Sequence, residues 1–235
     1  MIIDVSHHNG VINWSEVGKN IDYAILRCGY GTNAKQHDDK TFNYNATQCE
    51  KYGIPYAVYI YSYATTIHQC NSEIDHILRC VNNRKVVLPL YYDIEENSTF
   101  SNGQPRTYAQ LFIYRIHEAG YKAGIYSGDV NYRGYFNDLS PDSKWVARYN
   151  DKPPVSNFDI WQYTSKGKLS GISGNVDLNV TIETNKYSEM AYDNTLNDIL
   201  NNEYGTGITR KNALYSKGIN YWLMQQRVND KLRRK

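Results

Sequence analysis

The chain has 235 residues, a formal net charge of +2 and 41% hydrophobic residues, a composition typical of a globular protein with one substantial domain and a small second one. The near-zero charge argues against a nucleic-acid-binding surface, and the apolar runs are too short to cross a bilayer as a helix. We therefore expect no nucleic-acid partner and no membrane partner.

The cysteines Cys28, Cys49, Cys70 and Cys80 form no C-x-x-C pair. We expect no disulfides, and we expect none of these thiols to lie beside a histidine at metal-ligand spacing. Cys28 lies within an apolar run and is predicted to be a small core residue. The adjacent His7 and His8 would face opposite ways on a strand. The sequence thus predicts no metal and no cofactor.

Strand-like and helix-like segments alternate along the first 180 residues. Helical spacing is present over 38–52, 67–83 and 105–119, and the last of these begins at Pro105, which is common in a first helical turn. Apolar runs bounded by breakers predict eight strands, near 1–5, 22–29, 55–62, 86–95, 121–127, 143–149, 158–163 and 174–178.

This alternation predicts an α/β fold with a mainly parallel sheet. Eight strands in so short a length favour a TIM-like (β/α) barrel. The spacing after Gly120 is too short for a full helix between every pair of strands. We therefore expect an irregular barrel with fewer than eight helices.

The predicted strand 86–95 ends in Asp93-Ile94-Glu95. Alternate residues of a strand face the same side, so both carboxylates would lie together, with Cα atoms about 6.6 Å apart. Repulsion and burial would raise at least one pKa, and a carboxylic acid that is protonated near neutral pH is what glycosidic-bond cleavage needs. The alternative is a strand that runs out into a solvated acidic loop.

Active sites of β/α barrels lie at the C-terminal ends of the strands. Four acids occupy such ends in the predicted strands: Asp4, Asp93, Glu95 and Asp177. Five further side chains on candidate strands would converge on the same mouth if the barrel closes: Arg27, Tyr61, Tyr126, Trp145 and Gln162. The 23 tyrosines suit sugar binding, because a tyrosine has a flat apolar face and a hydroxyl at its edge, although core packing uses the same residue.

Around Asn185 the pattern changes to helical spacing over 190–201 and 221–233, and Gly205, Gly207 and Gly218 predict turns between them. Residues 186–235 contain nine Lys or Arg and five Asp or Glu, so the preceding part is net negative. This difference favours two units with different partners, or a barrel followed by a solvated helical tail. A small all-α module of this size is near the lower limit for independent folding.

Motifs along the first 185 residues match a known family in order. They are DVSHHNG from Asp4, LRCGYG from Leu26, DIE from Asp93, GIYS from Gly124, WVARY from Trp145, WQY from Trp161 and VDLN from Val176. Together they resemble glycoside hydrolase family 25, the Chalaropsis-type lysozymes. The resemblance places a catalytic barrel at residues 1–186. Asn9 and Cys28 depart from residues common in the family, and neither is one of the acids.

The resemblance implies N-acetylmuramidase activity on bacterial peptidoglycan, with cleavage of the β-1,4 bond between N-acetylmuramic acid and N-acetylglucosamine. It implies that Glu95 is the proton donor and Asp93 its assisting carboxylate, with Asp4 and Asp177 as the remaining acids of the site. A non-catalytic wall-binding protein and a chitinase-like glycosidase are the alternatives, and the flanking DVSHHNG and VDLN motifs argue against the second.

Residues 190–235 resemble the CW-seven cell-wall-binding repeat of some phage lysins, with Tyr204-Gly205-Thr206-Gly207 where that repeat usually reads WGNG. The resemblance implies that Asp193 and Arg227 contact muropeptides. The alternative is that Arg227 only forms an ion pair with a nearby acid. Both halves fit a bacteriophage endolysin made in the cytoplasm of an infected bacterium without a signal peptide. A single repeat offers little avidity, so we also expect a homo-oligomer.

Overall fold

The computed structural model describes residues 1–150, 152–181, 189–216 and 221–233. The chain divides into two compact units, Met1–Ile182 and Glu183–Lys235. No helix in the described ranges is long and apolar enough to span a membrane. Each unit is described by itself below.

Eight strands of the first unit close into a barrel in sequence order. This confirms the predicted barrel. The strands are β1 Ile2–Val5, β2 Tyr23–Tyr30, β3 Tyr56–Tyr61, β4 Leu90–Asp93, β5 Ala123–Gly128, β6 Ser143–Ala147, β7 Ile160–Gly167 and β8 Val176–Thr181.

The last strand runs against the others. Neighbours from β1 to β7 pair in parallel, whereas β8 is antiparallel to both β7 and β1. The connection over 168–175 is shorter than the dozen or more residues that a parallel crossover needs, so the chain turns back as a hairpin. Asp177 is therefore at the start of its strand, contrary to our expectation. The reversal still places it at the end of the barrel where the parallel strands end, and it pairs in register with Asp4.

The helices around the barrel are uneven in length. Those of the first unit are α1 Trp14–Val17, α2 Phe42–Tyr52, α3 Ile67–Val81, α4 Asn97–Asn102, α5 Pro105–Glu118 and α6 Asp129–Asn131, which continues as a π-helical turn over Tyr132–Phe136. The connection between β7 and β8 has no helix, in agreement with the predicted irregular barrel. The predicted helix 38–52 begins only at Phe42, and α4 was not predicted.

The core has two layers. One fills the space between the sheet and the helices, and it includes Cys28, as predicted. The other fills the barrel itself, where Tyr91 and Trp145 are almost fully buried. Gly124 is required next to this inner layer, because a Cβ there would come within 2.2 Å of the Tyr91 ring. Large aromatic side chains thus fill the interior of the barrel below its open end.

The second unit contains three helices in its described residues: α7 Glu189–Leu200, α8 Gly207–Ser216 and α9 Tyr221–Arg233. The sequence predicted the first and third. It was wrong about Gly207, which is the first residue of α8 and was predicted to be a turn. The small apolar core of the unit consists of Leu196, Ile199, Tyr204, Leu214, Met224 and Val228.

Candidate active site

A cleft opens at the mouth of the barrel and contains about 810 Å³ of space not filled by protein atoms. All four predicted acids line it, and so do the five other candidate residues of the barrel. The lining is Asp4, Ser6, His8, Asn9, Arg27, Tyr59, Tyr61, Asp93, Glu95, Tyr126, Trp145, Tyr149, Gln162, Asn175 and Asp177.

Asp93 and Glu95 differ in their exposure to solvent. Strand β4 ends at Asp93, which is 4% exposed, so Glu95 lies just beyond the strand and not on it as predicted. Glu95 is solvent-exposed. Oδ1 of Asp93 is buried and has no hydrogen-bond partner among the described residues. The pair therefore combines an accessible acid with a buried carboxyl that has one unused acceptor oxygen.

Asp4 is held by two side-chain amides from the other side of the cleft. Its Oδ2 accepts hydrogen bonds from Gln162 Nε2 at 2.9 Å and from Asn179 Nδ2 at 2.8 Å. Gln162 Oε1 accepts the Tyr126 hydroxyl at 2.8 Å, and Asn179 Oδ1 accepts the indole N–H of Trp145 at 2.7 Å. Because an indole can only donate, the Asn179 oxygen must be the acceptor in that contact, and the Asn179 nitrogen must donate to Asp4.

Burial raises the pKa values of all four acids, and repulsion from neighbouring acids adds to this effect at Asp4, Asp93 and Glu95. Burial, followed by the charge of Asp177, raises the pKa of Asp4 to about 8, against the opposing hydrogen bonds from Asn179 and Gln162. Burial and the charges of Glu95 and Asp4 raise the pKa of Asp93 well above its usual range. Burial raises the pKa of Asp177 to about 6. The cleft therefore retains protons near neutral pH.

The same forces act on Glu95, although it is exposed to solvent. The cleft walls displace part of the water around its carboxyl, which raises its pKa, and the charges of Asp177 and Glu96 add to this effect. The nearby hydroxyl of Tyr126 opposes the shift. We expected repulsion from Asp93 to keep Glu95 protonated, but that repulsion acts on the buried Asp93, while desolvation is the main cause for Glu95.

Arg27 is the cation of the cleft lining, and its charge lowers the pKa of Asp93 against the larger effect of burial. Its Nε donates to Oδ2 of Asp39 at 2.9 Å. The same oxygen accepts the backbone N–H of His7 at 3.0 Å. The Asp39 side chain is fully buried. Asp39 thus positions Arg27 from behind the cleft, and no motif in the sequence pointed to it.

Some of the predicted aromatic residues form the floor of the cleft, and others form its wall. Tyr126 and Trp145 are 5% and 1% exposed and pack against each other with ring centroids 4.3 Å apart, so they form the floor together with the buried Gln162. Tyr61 is half-buried in the wall, and its hydroxyl donates to Glu96 at 3.0 Å.

Tyr149 was not singled out from the sequence, although it lies in the WVARY motif. It is 59% exposed, lines the cleft and donates its hydroxyl to Gln162 at 2.9 Å. Asn179 was also missed, although it ends the VDLN motif. Both residues lie in motifs that we had identified, so the motifs contained a usable signal.

Two predicted contacts cannot be placed. Asp193 lies in α7 and Arg227 in α9, and the side chains of both are outside the described part of the chain. In the barrel, the described residues contain one group suited to a metal ion, Asp38, His76 and Cys80, and none of the three lines the cleft.

A β/α barrel with paired carboxyl groups at its mouth, at least one of them accessible and shifted towards the protonated form, defines a glycosidase-type active site. Comparison with known proteins identifies the family. Residues 3–172 match Glycosyl hydrolases family 25, and residues 193–232 match the CW_7 repeat. The chain belongs to family 25 and is a glycoside hydrolase.

Similar proteins include enzymes of phage and bacterial origin. The catalytic domain of endolysin ply40, from bacteriophage P40 of Listeria monocytogenes, is 28% identical with a TM-score of 0.67, over 77% of this chain and 92% of that one. Lysozyme M1 of Streptomyces globisporus is 30% identical over 75% of this chain and 66% of its own length. The modular autolysin LytC of Streptococcus pneumoniae, in complex with a synthetic peptidoglycan ligand, is 26% identical with a TM-score of 0.63, over 76% of this chain and 45% of that chain.

Proposed function

We propose that this chain is an N-acetylmuramidase that hydrolyses the β-1,4 bond between N-acetylmuramic acid and N-acetylglucosamine in bacterial peptidoglycan. The observation that carries the proposal is the asymmetry of the acid pair, in which Glu95 is open to solvent and Asp93 is buried with an unpartnered oxygen. The membership of family 25 and the similarity to a peptidoglycan-bound autolysin support the substrate.

Glu95 acts as the general acid in this proposal. Its raised pKa favours the protonated form, and its exposure allows it to reach the oxygen of the scissile bond. The proton moves from Glu95 to that oxygen as the bond to the anomeric carbon breaks. The Glu95 carboxylate then takes a proton from the water molecule that attacks in the second step.

Asp93 orients the 2-acetamido group of the sugar in this proposal. Its unpartnered Oδ1 is an acceptor for the acetamido N–H, and this contact turns the acetamido oxygen towards the anomeric carbon. Asp93 and Glu95 both project into the cleft from the end of β4, which favours attack by the acetamido oxygen over direct attack by Asp93. Both routes retain the anomeric configuration.

The first test is reducing-end analysis by mass spectrometry of purified peptidoglycan digested by wild type, Glu95→Gln and, as a control, Glu118→Gln on the exposed end of α5. Wild type and the control should release fragments with muramic-acid reducing ends, and Glu95→Gln should not. Glucosamine reducing ends would contradict the bond specificity. Cleavage of chitin in parallel would favour a chitinase-like enzyme, and wall binding without cleavage a non-catalytic protein.

The route is tested separately by NMR of the first-formed product. Retention of configuration is expected, and inversion would exclude both retaining routes and indicate base-activated water. Replacing the N-acetyl groups of a soluble glycan by N-trifluoroacetyl groups weakens the acetamido oxygen as a nucleophile. This replacement should slow the reaction strongly if the acetamido group attacks, whereas an unchanged rate would favour direct displacement.

We further propose that the second unit attaches the enzyme to the cell wall and that the protein acts as a bacteriophage endolysin after release from the cytoplasm. The CW_7 match and the similarity to a phage endolysin support this role. Deletion of 187–235 should weaken adsorption to cell walls and leave cleavage of small soluble fragments unchanged. Loss of both would mean that these residues are needed by the barrel. Light scattering tests the expected homo-oligomer.

A further inference from the structure

A cluster of reactive side chains lies outside the cleft, between β2 and α3. Cys28 comes from β2, Asp38 from the segment that follows it, and His76 and Cys80 from α3. One ligand-type atom each of Asp38, His76 and Cys80 lies within 4.8 Å of the others. The sulfur of Cys80 is 3.9 Å from the backbone oxygen of Cys28. We expected no cysteine at metal-ligand spacing from a histidine. That was wrong for His76 and Cys80, because residues four apart on a helix lie on the same face.

The imidazole of His76 is fully buried and held at both nitrogens. Nδ1 lies 3.0 Å from the backbone oxygen of Gly31, and Nε2 lies 2.9 Å from Oδ1 of Asp38. Both neighbours are acceptors, so both nitrogens carry a proton and the ring is an imidazolium. Burial alone would lower the pKa of His76, but contacts with Cys80, Gly31 and Asp38 outweigh it and raise the pKa.

The backbone leaves room for this ring. A Cβ at Gly29 would come within 2.7 Å of the imidazole of His76 and 2.6 Å of the backbone oxygen of His37. Only glycine therefore allows β2 and His76 to approach so closely. The imidazolium is a fixed part of the local structure, and its position does not depend on the rotamer of an exposed side chain.

The two thiols have different environments. Cys28 is fully buried, which raises its pKa well above the usual range, so it remains a thiol beside Cys80. A hydrogen bond between the two side chains lowers the pKa of Cys80 to about 6, with help from His76 and against the burial of Cys80. Cys80 is only partly buried. Thiolates of this kind, partly exposed and next to a cation and a second thiol, are typical of redox-sensitive cysteines.

The remaining charges around Cys80 argue against a resident divalent cation. Arg79 donates to Oδ2 of Asp38 at 3.1 Å and also contacts Oδ1, so a guanidinium and an imidazolium already neutralise this carboxylate. A metal ion would have to displace both. The groups that interact with Cys80 are thus Cys28 from β2, Asp38 from the following segment, and Arg79 and His76 from its own helix.

We propose that Cys80 is a reactive thiolate that a peroxide oxidises, and that Cys28 is the thiol that resolves the product as a Cys28–Cys80 disulfide. The Cys80 sulfur attacks one peroxide oxygen, the O–O bond breaks, and a sulfenic acid and hydroxide form. The Cys28 sulfur then attacks the Cys80 sulfur, the S–O bond breaks, and the Cys28 proton leaves with the hydroxyl as water. Each disulfide formed consumes one peroxide.

The first experiment follows alkylation of the four cysteines of the full chain by iodoacetamide across pH 5–9, with peptide mass spectrometry as the readout. Cys80 should react with a midpoint at about pH 6. The fully buried Cys49 and Cys70 serve as internal references and should react slowly throughout. A Cys80 midpoint above pH 8, or no preference for Cys80, would overturn the proposal.

His76→Gln should move the Cys80 midpoint towards the value of about 8.5 of an ordinary cysteine. His68→Gln, at an exposed position of the same helix, is the matched control and should leave it unchanged. Because His76 is buried, folding is checked by circular dichroism. If His76→Gln does not fold, Cys28→Ala removes the hydrogen-bond partner of Cys80 and should raise the same midpoint. An unchanged midpoint in the folded variant contradicts the proposal.

The second experiment treats the reduced protein with hydrogen peroxide and maps peptides without reductant. Wild type should yield a linked Cys28–Cys80 peptide that has lost two hydrogen atoms. Cys28→Ala should instead retain a sulfenic acid at Cys80 that dimedone traps. Random pairing with Cys49 or Cys70, the absence of a Cys80 product, or a stoichiometric zinc ion that blocks the reaction would each overturn the proposal.

Discussion

Buried carboxyl groups in two regions of the barrel have opposite electrostatic environments. In the cleft, Asp4 and Asp93 face other acids, and burial with mutual repulsion raises their pKa values. Behind the cleft, Asp39 is equally buried but faces donors. Burial alone would raise its pKa, yet hydrogen bonds from His7 and Thr41 outweigh that effect and lower it.

The difference shows that the partners of a carboxyl group decide its protonation, and that burial alone does not. Asp129 repeats the second case, because hydrogen bonds from Ser156 and Val155 overcome its burial and lower its pKa. Buried acids with hydrogen-bond donors around them, such as Asp39, stabilise the barrel as carboxylates. Buried acids that face other acids, such as Asp4, reduce its stability once they ionise. Reactivity at the cleft is thus obtained at some expense of stability.

The largest effect should come from removing the accessible acid of the cleft. Glu95→Gln cannot donate a proton, so we expect kcat on soluble peptidoglycan fragments to fall by about 10²–10⁴-fold with the melting temperature preserved. Turbidity and fragment-release assays measure this. Turnover near that of the wild type would exclude Glu95 as the general acid.

Asp93→Asn tests the buried member of the pair. It should reduce kcat by about 10²–10³-fold, because the acceptor that we propose orients the acetamido group is altered. Removal of a buried acid that repels its neighbours should not lower the melting temperature. If only KM changed, the proposed role of Asp93 in orienting the substrate would be wrong.

Asp39→Asn tests the acids behind the cleft by chemical denaturation. The carboxylate is fully buried and paired with Arg27, so its loss should reduce the free energy of unfolding by about 3 kcal/mol. The matched control is Asp138→Asn, which removes an exposed ion pair with Arg106 and should have almost no effect. Equal effects of the two substitutions would contradict the comparison.

The last prediction is a pH dependence of stability at Asp4. Its pKa in the folded state is raised to about 8, so its contribution is fully present at pH values below its unfolded pKa of about 4 and is lost as the pH rises through 8. The amide introduced by Asp4→Asn does not titrate. The melting temperature of this variant relative to wild type should therefore increase from pH 4 to pH 8. A constant or opposite difference would show that Asp4 is not held in the protonated form.

Much of the barrel was predictable because apolar runs bounded by breakers specify buried strands directly. The direction of β8 was also accessible, since the connection over 168–175 is too short for a crossover, but we used that length only to exclude a helix. The four acids were found because they lie in or next to strands. Asp39 was missed because its function depends on Arg27 and His7, which are distant in sequence, and no local pattern records that contact.

The reversed β8 also determines when the active site can form. Asp4 lies near the start of the described chain, but its two amide partners follow 158 and 175 residues later. Contacts of such high sequence separation form late in folding. A ribosome must therefore synthesise the chain through β8 before the cleft has its acids in place. We therefore expect a nascent chain that lacks β8 to be inactive.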